Sequence, residues 1–266
     1  MKILAGSICL LAFLAACNVG AVSKADKAPV TKNISVADFS GIDAATGIKV
    51  VYSQGALTPA KVTAPRYMFD YLVVKVNKGT LDIKLDNSYW KKYNSGNGDI
   101  TVTVSSPAVN DLEASSGASI HVKGTLNVRG KAEVETSSGA SISIPAGMTA
   151  TGEIDLEASS GSSIKITGLK APKMECDLSS GSDMTISNVT CTSAEFDLSS
   201  GASCTVTGTA RSVKADATSG ASLHAKRFIT DTAIIEAGSG GSVDFNSASA
   251  SVDTGNTGSA TNHHSR

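Results

Sequence analysis

Apolar and polar side chains alternate along short segments of the chain between residues 111 and 246. Leu112-Glu113-Ala114 and Ile120-His121-Val122 are two examples of this alternation. A period of two is typical of β-strands that bury one face and expose the other, whereas a helix would need a period of 3.6. The pattern therefore predicts a succession of half-buried strands.

A serine–glycine motif recurs seven times through this region, at spacings of 22, 22, 20, 20, 19 and 20 residues. Apolar residues stand five positions before each marker glycine and three and five positions after it. One unit of this size cannot bury its own apolar face, but stacked units can. The repeat therefore predicts an all-β fold, a parallel β-solenoid with one coil of about 20 residues per repeat. The marker glycines are Gly117, Gly139, Gly161, Gly181, Gly201, Gly220 and Gly240.

The motif itself is expected to be a bend within an extended segment. Apolar residues keep odd offsets on both sides of the glycine, so the faces of the sheet are not exchanged there. Glycine would supply the backbone freedom that a bend needs. By the same parity, the serine just before each glycine should face inward, in a hydrogen-bonded column.

The regions that flank the seven repeats at 111–246 are less regular. Residues 33–110 contain several strand-like segments and a turn at Asn77-Lys78-Gly79, and they are expected to form irregular first coils that cap the solenoid. The segment 89–93 is predicted to be a loop. Residues 247–266 are rich in Ser, Thr, Gly and Asn, which predicts a disordered tail after a solenoid that spans 33–246.

The start of the chain has the features of a secretion signal. An apolar stretch follows Lys2, and it is too short to remain as a membrane-spanning helix. Leu14-Ala15-Ala16-Cys17 then resembles the cleavage site of a bacterial lipoprotein. We expect 1–16 to be a lipoprotein signal peptide, Cys17 to carry the lipid and 17–32 to be a flexible tether. An ordinary signal peptide with a chance cysteine is the alternative.

Composition and charge exclude several classes of function. The chain of 266 residues has a net charge of −1, with 18% charged residues, so no basic patch for nucleic acid is expected. Cys176, Cys191 and Cys204 show no metal-ligand spacing and are expected to be buried small side chains. His121 and His224 are five coils apart, too far for one site.

Several segments together resemble a known family. Phe39-Ser40-Gly41-Ile42, Gly47-Ile48-Lys49-Val50 and Gly79-Thr80-Leu81-Asp82-Ile83, followed by the Ser-Gly coils, are similar to the auto-transporter adhesin head GIN domain family. This resemblance covers about residues 33 to 246 and implies a single-stranded right-handed parallel β-helix outside the cytoplasm. The letters GIN in the family's name, read as residues, give Gly-Ile-Asn, whereas this chain has Gly41-Ile42-Asp43. The family supplies no catalytic motif to carry over.

An acidic ladder is the most informative surface feature of the repeats. All seven residues four positions before the marker glycines are acidic, and six of the seven residues two positions after them are Ser. Both offsets are even and hence outward, which predicts a flat strip of Ser and Gly with an acidic edge. It could be a solvated face or a docking strip for cations, basic partners or hydroxyl-rich partners. The candidate binding face is Glu113, Glu135, Glu157, Asp177, Asp197, Asp216, Glu236, Ser119, Ser141, Ser163, Ser203, Ser222 and Ser242.

These features predict a lipid-anchored extracytoplasmic module of the cell envelope that serves adhesion or ligand binding, with the outer membrane as the expected location. Its expected partners are the membrane, through the lipid, and glycans or other surface components, without nucleic acid. No catalytic residue and no cofactor are expected, and a metal site is left open. The leading alternative is a polysaccharide lyase or hydrolase on the same scaffold, which would need clustered acids beside a basic residue. A structural envelope role without a ligand is a third possibility.

Overall fold

The computed structural model describes residues 26–92 and 99–264, and these form a β-solenoid of about 8 turns that are about 20 residues apart. The strands in chain order are β1 Pro29–Ile34, β2 Gly41–Ala44, β3 Lys49–Gln54, β4 Ala60–Pro65, β5 Leu72–Asn77, β6 Thr80–Leu85, β7 Thr101–Ser106, β8 Asp111–Ala114, β9 Ser119–Lys123, β10 Leu126–Val128, β11 Ala132–Thr136, β12 Ser141–Ile144, β13 Met148–Ala150, β14 Glu153–Ala158, β15 Ser163–Lys170, β16 Lys173–Leu178, β17 Asp183–Thr190, β18 Ser193–Leu198, β19 Ser203–Ala217, β20 Ser222–Ala237, β21 Ser242–Asp253 and β22 Ser259–Asn262.

Each regular coil contributes strands to three faces. The first face stacks β2, β8, β11, β14, β16, β18 and the second halves of β19, β20 and β21 in parallel. The second face, after the marker glycine, stacks β3, β9, β12, β15, β17, the first halves of β19 to β21, and β22. The third face contains β10, β13 and the later parts of the longer strands. The predicted parallel solenoid is therefore confirmed.

Equivalent residues stack in columns inside the coils, as the period-two pattern predicts. Leu112, Val134 and Leu156 lie opposite one another on adjacent strands, and all three are buried. Their column continues through Cys176 and Phe196. The hydrophobic core is thus a set of apolar columns running along the solenoid, and each coil is stabilised mainly by its two neighbours.

The N-terminal cap differs from a simple series of first coils. β2 lies between β6 and β8, and β3 lies between β7 and β9. The coil formed by β2 and β3 is therefore not the outermost one, although it precedes β6 and β7 in the chain. Antiparallel strands β5 and β4 cover β6 and β7, and β1 covers β4. The predicted turn at Lys78-Gly79 joins β5 to β6. These antiparallel strands cover part of the edge that an open solenoid would expose.

The structure corrects three predicted boundaries. Residues 247–262 are not a disordered tail, since β21 continues to Asp253 and β22 pairs with it to form the last coil. The predicted tether ends earlier than expected because β1 begins at Pro29. A short helix, α1 Asn87–Lys92, replaces the predicted loop, and Asp86 Oδ1 accepts a hydrogen bond from the Ser88 N–H at 2.8 Å at its start. The predicted signal peptide and Cys17 lie outside the described residues.

The cysteine prediction is confirmed for two of the three. Cys176 and Cys204 are buried, and Cys191 is partly buried. Burial raises the pKa of the Cys204 thiol to about 12 and that of Cys191 to about 11. These thiols are therefore protonated at neutral pH and behave as small apolar side chains.

Candidate functional site

A column of carboxylates runs along the first face of the solenoid. The seven acidic residues of the repeats lie opposite one another on adjacent strands. The same register adds Asp43 and Asp82 at one end and Asp253 at the other. In spatial order the acidic column is Asp82, Asp43, Glu113, Glu135, Glu157, Asp177, Asp197, Asp216, Glu236 and Asp253.

Three members of the acidic column were not predicted from the sequence. Asp43 and Asp82 precede no Ser-Gly motif, and Asp253 lies in the segment expected to be a tail. The signal that identifies Asp43 and Asp82 is an acidic residue between two apolar residues in a strand, as in Leu81-Asp82-Ile83. Which such residues join the acidic column depends on strand order, which the sequence does not specify.

A groove of about 370 Å³ lies beside the middle of the acidic column. One wall consists of the carboxylates from Glu113 to Asp216. The other wall consists of hydroxyl residues two positions before the marker glycines, and the buried residues between the two walls form the floor. The hydroxyl wall is Ser137, Ser159, Ser179, Ser199 and Thr218. The groove therefore presents negative charge on one side and hydroxyls on the other, both repeated once per coil.

The turn at the marker glycine sets the spacing of the hydroxyl wall. In the first repeat the Ala118 N–H donates to Ser115 O at 3.0 Å, and the two residues between them, Ser116 and Gly117, both have positive φ. Positive φ at both central residues is the mark of a type I′ turn. The Gly117 N–H donates to Ser138 O of the next coil at 3.0 Å, so successive turns stack by backbone hydrogen bonds.

The serine before each marker glycine is exposed, so the predicted inward serine column is wrong. Left-handed backbone at this position, with φ of 54° at Ser160 for example, turns the side chain outward. The buried small residue is instead the one just after the glycine. Where that residue is Ser162 or Ser182, its Oγ donates to a backbone carbonyl, Thr136 O at 2.9 Å or Ala158 O at 2.8 Å.

The six candidate serines after the glycines form a separate column. Ser119, Ser141 and Ser163 lie opposite one another on the second face, and Ser203, Ser222 and Ser242 continue the register beyond Asp183. They do not line the groove, which contains the serines before the turn. The structure thus replaces the predicted flat strip with a groove beside the acidic column and a serine column across the turn.

A second row of acids lies two positions before the acidic column, and lysines neutralise it. Lys131 Nζ lies 2.9 Å from Glu133 Oε1 and 3.2 Å from Asp155 Oδ2. Lys173 contacts Glu175, and Lys214 Nζ lies 2.6 Å from Glu195 Oε1. Over residues 26–92 and 99–264, the acidic column has one comparable contact, Lys84 Nζ to Asp43 Oδ2 at 3.5 Å. The groove wall therefore retains most of its negative charge.

Partial burial and mutual repulsion raise the pKa of the carboxyls in the middle of the acidic column. Desolvation is the largest cause for Glu113, Glu135 and Glu157, and neighbouring carboxylates add to it. The pKa of Asp177 rises to about 6, through desolvation first and then the charges of Asp197, Asp155 and other acids. A positive ligand would relieve this repulsion, because it favours the charged form of every carboxyl it approaches.

Two groups of carboxylates bring their oxygens within 4.8 Å of one another. Asp155, Glu157 and Asp177 form one group, and Asp155 with Glu153 and Glu175 forms the other. Among the described residues Asp155 Oδ1 is buried without a hydrogen-bond partner, whereas Oδ2 faces Lys131. Carboxylate oxygens suit Ca²⁺, but few ligands beside a lysine would make a weak site.

The histidines are not part of the groove. His121 and His224 are exposed on the second face, and His224 Nδ1 lies 3.8 Å from Asp244 Oδ2. His263 Nε2 lies 3.5 Å from Asp244 Oδ1. His224 and His263 therefore share Asp244 as a surface contact.

A family comparison identifies the architecture. The model of the family described as "Putative auto-transporter adhesin, head GIN domain" matches residues 38–168 and, in a second match, residues 149–263. The chain belongs to this family. Two overlapping matches to one GIN domain model are what a stack of similar coils would give. Membership of an adhesin head family favours a surface or extracellular location.

Solved structures share the fold of this GIN domain. A "putative lipid binding protein" from Parabacteroides distasonis is 16% identical, with a TM-score of 0.71 over 89% of this chain and 95% of that one. A "putative adhesin" from Parabacteroides merdae is 15% identical, with a TM-score of 0.69 over 89% and 94%. A "putative adhesin" from Bacteroides fragilis is 18% identical, with a TM-score of 0.67 over 90% and 98%. A search of curated proteins found no match.

Among the described residues, the GIN domain contains no helix long and apolar enough to cross a membrane.

Proposed function

We propose that this GIN domain protein is a lipid-anchored binding module of the bacterial envelope that acts in adhesion, with the groove beside the acidic column as its binding site. The observation that carries the proposal is the unbroken register of the acidic column, which repeats one chemical pattern along the groove. Family membership supports adhesion, and Leu14-Ala15-Ala16-Cys17 supports lipid anchoring and a location in the outer membrane.

The ligand that fits this groove is an extended chain bearing both positive charges and hydroxyls. Its positive groups would face the carboxylate wall, from Glu113 to Asp216, and its polar groups would face the hydroxyl wall. Strand spacing repeats both walls about every 4.8 Å, so a linear polymer can make the same contact several times. Repetition of weak contacts along one chain gives useful affinity without a deep pocket.

Binding fits the groove better than catalysis does. A glycoside hydrolase or lyase needs one distinguished pair of acids or one acid beside a base. The groove presents one carboxylate, Glu or Asp, in coil after coil, and its lining residues include no Lys, Arg or His. A repeated site suits a repeating ligand, so the enzyme alternative is not favoured.

Oligomers of glucosamine offer a direct test, because they are linear, hydroxyl-rich and positively charged. N-acetylated oligomers of the same length are the matched neutral control. We expect calorimetry to detect binding of the charged oligomer only, and binding should weaken at least tenfold at high salt.

A fourfold variant tests the groove itself. Glu135→Gln, Glu157→Gln, Asp177→Asn and Asp197→Asn together should abolish binding, while exchange of Ser141 and Ser163 for Ala on the second face should not. Equal binding of charged and neutral oligomers, or of the fourfold variant and the wild type, would refute the proposed ligand class.

A further inference from the structure

Charge is distributed unevenly along the solenoid. Residues 26–92, which contain every strand of the N-terminal cap except β7, contain ten Lys and Arg against six Asp, a net charge of +4. Residues 99–264, which contain β7 and the rest of the stack, contain ten Lys and Arg against eighteen Asp and Glu, a net charge of −8. The molecule is therefore an electrostatic dipole with its positive end at the cap.

The aromatic residues are concentrated at the same end. The single Trp and all five Tyr lie between residues 52 and 93. Tyr52 and Tyr89 are buried, as are Phe196, Phe228 and Phe245 of the repeats, whereas Tyr67, Tyr71 and Trp90 are partly or fully exposed. The cap thus combines basic and amphipathic aromatic side chains, the residue types that are enriched where proteins meet a membrane–water interface.

Tyr71, Tyr89, Trp90 and Lys92 form one packed cluster, and Lys32 packs on Phe69, two residues before Tyr71. The ring of Tyr89 contacts Trp90 edge-on at 5.0 Å between centroids and Tyr71 at 5.8 Å. Lys92 Nζ lies 2.8 Å from Tyr71 Oη. Lys32 of β1, one of the outermost strands, places its Nζ 4.3 Å from the centre of the Phe69 ring. Trp90 remains 43% exposed and is followed by the exposed Lys91 and Lys92, so the cluster presents a large apolar ring beside lysines.

The chain enters the fold at this same cluster. The Arg66 N–H donates to Ala28 O at 3.2 Å, and the Tyr67 N–H donates to Asp26 O at 3.4 Å. Cys17 precedes Asp26 by nine residues. A fully extended segment of this length spans about 30 Å at most, so a lipid on Cys17 would keep the cap close to the bilayer.

We infer that the N-terminal cap docks directly on an anionic lipid bilayer, with Trp90 at the interface and Lys32 and Lys91 facing the headgroups. Lysines near such a surface are attracted, whereas the acidic repeats are repelled, so the solenoid stands away from the membrane. The inference takes its setting from the proposed lipid anchor, but the contact belongs to the folded cap and needs no acyl chain.

The test uses the lipid-free chain from Asn18 to Arg266, which contains every described strand and helix. Sedimentation with phosphatidylglycerol–phosphatidylcholine vesicles should carry the protein down, with binding at least tenfold weaker to pure phosphatidylcholine. Fluorescence reports the site itself, because Trp90 is the one Trp in the chain. Its emission should shift to shorter wavelength on addition of anionic vesicles.

Charge reversal at two pairs of lysines tests whether vesicle binding depends on the cap or only on the net charge of the protein. Lys32→Glu with Lys91→Glu should weaken binding to the anionic vesicles at least tenfold. Lys165→Glu with Lys226→Glu changes net charge equally in the exposed repeats and should have less than a twofold effect. Trp90→Phe, with sedimentation as readout, should preserve the fold and weaken binding modestly.

Three results would overturn the inference: no sedimentation, equal losses in the two lysine pairs, or an unshifted emission. Thermal melts of all variants identify any that fail to fold. Glucosamine binding by the groove and detergent partitioning of the lipidated protein are separate measurements, so failure of the proposed function would be distinguished from failure of the cap to dock.

Discussion

Asp177 lies directly opposite Asp197 on adjacent parallel strands, and the charge of Asp197 helps to raise the pKa of Asp177 to about 6. The same register places neighbours directly opposite each other along the whole acidic column. Like charges directly opposite in a sheet destabilise it. The fold therefore retains an unfavourable arrangement at the place where the groove lies.

Stability should consequently depend on pH in a defined direction. The folded-state pKa of Asp177 lies above its ordinary value of 3.8, so folding favours the protonated form. The free energy of unfolding should be highest near pH 4 and should fall as pH rises through about 6. Denaturant titrations at pH 4.5 and 7.5 measure this difference, and a more stable protein at pH 7.5 would contradict it.

Removal of one column charge should stabilise the protein. Asp177→Asn should raise the melting temperature at pH 7.5 by about 2–4 °C, which corresponds to about 1 kcal/mol in a chain of this size. The gain should shrink at pH 4.5, where Asp177 is already protonated. Asp183→Asn is the control, since Asp183 is an exposed acid of the same repeat outside the acidic column. Calorimetry of both variants decides, and an equal gain in the control would refute the column effect.

Divalent cations should stabilise the protein weakly. Ca²⁺ at millimolar concentration is expected to raise the melting temperature more than NaCl of the same ionic strength, because one ion can contact carboxylates of adjacent coils. The combined exchange of Glu135, Glu157, Asp177 and Asp197 for Gln or Asn should remove the difference. Equal shifts in the two salts would show that the acidic column is merely solvated.

Two glycines should respond differently to the same substitution. Gly181 has a φ of +68°, but a Cβ there would meet nothing within 4 Å, so Gly181→Ala should cost about 1–2 kcal/mol through backbone strain alone. A Cβ at Gly208 would lie 2.1 Å from Val189 O. Gly208→Ala should therefore cost more than about 3 kcal/mol or prevent folding. Chemical denaturation of the two variants compares them, and similar costs would contradict the close approach of Gly208 to Val189.

The proposed lipid anchoring should depend on Cys17. Cys17→Ser should give a soluble or unprocessed product, because the acyl acceptor is lost. Detergent phase partitioning and the mass of the mature protein check this expectation. Cys9→Ser, within the predicted signal peptide, should leave partitioning unchanged, and unchanged partitioning of Cys17→Ser would exclude the lipid.

The repeat was predictable because its information is local. Alternation at Leu112-Glu113-Ala114 and the recurrence of Ser-Gly give the faces, the period and seven members of the acidic column. The conformation of the turn was not predictable from the alternation of apolar and polar positions around the marker glycine. Ser116 occupies an odd offset, yet two successive residues with positive φ turn it outward and leave the next residue, Ala118, in the core.

The two ends of the solenoid were harder to predict, because strands there are held in place by backbone pairing more than by burial of apolar side chains. Ser259-Ala260-Thr261-Asn262 has little apolar character but pairs with Ser242–Phe245 along the backbone. Asp43, which stands where the family label implies Asn, joins the acidic column because β2 lies between β6 and β8. This order of strands depends on contacts between distant parts of the chain.

Because the turns stack without a change of register, the number of coils sets the length of the groove. Inserting or deleting one coil would lengthen or shorten it by about 4.8 Å and would leave the remaining coils and their chemistry unchanged. The length of polymer that the protein prefers could therefore evolve in whole-coil steps through duplication of about 20 codons, with no new site having to be invented.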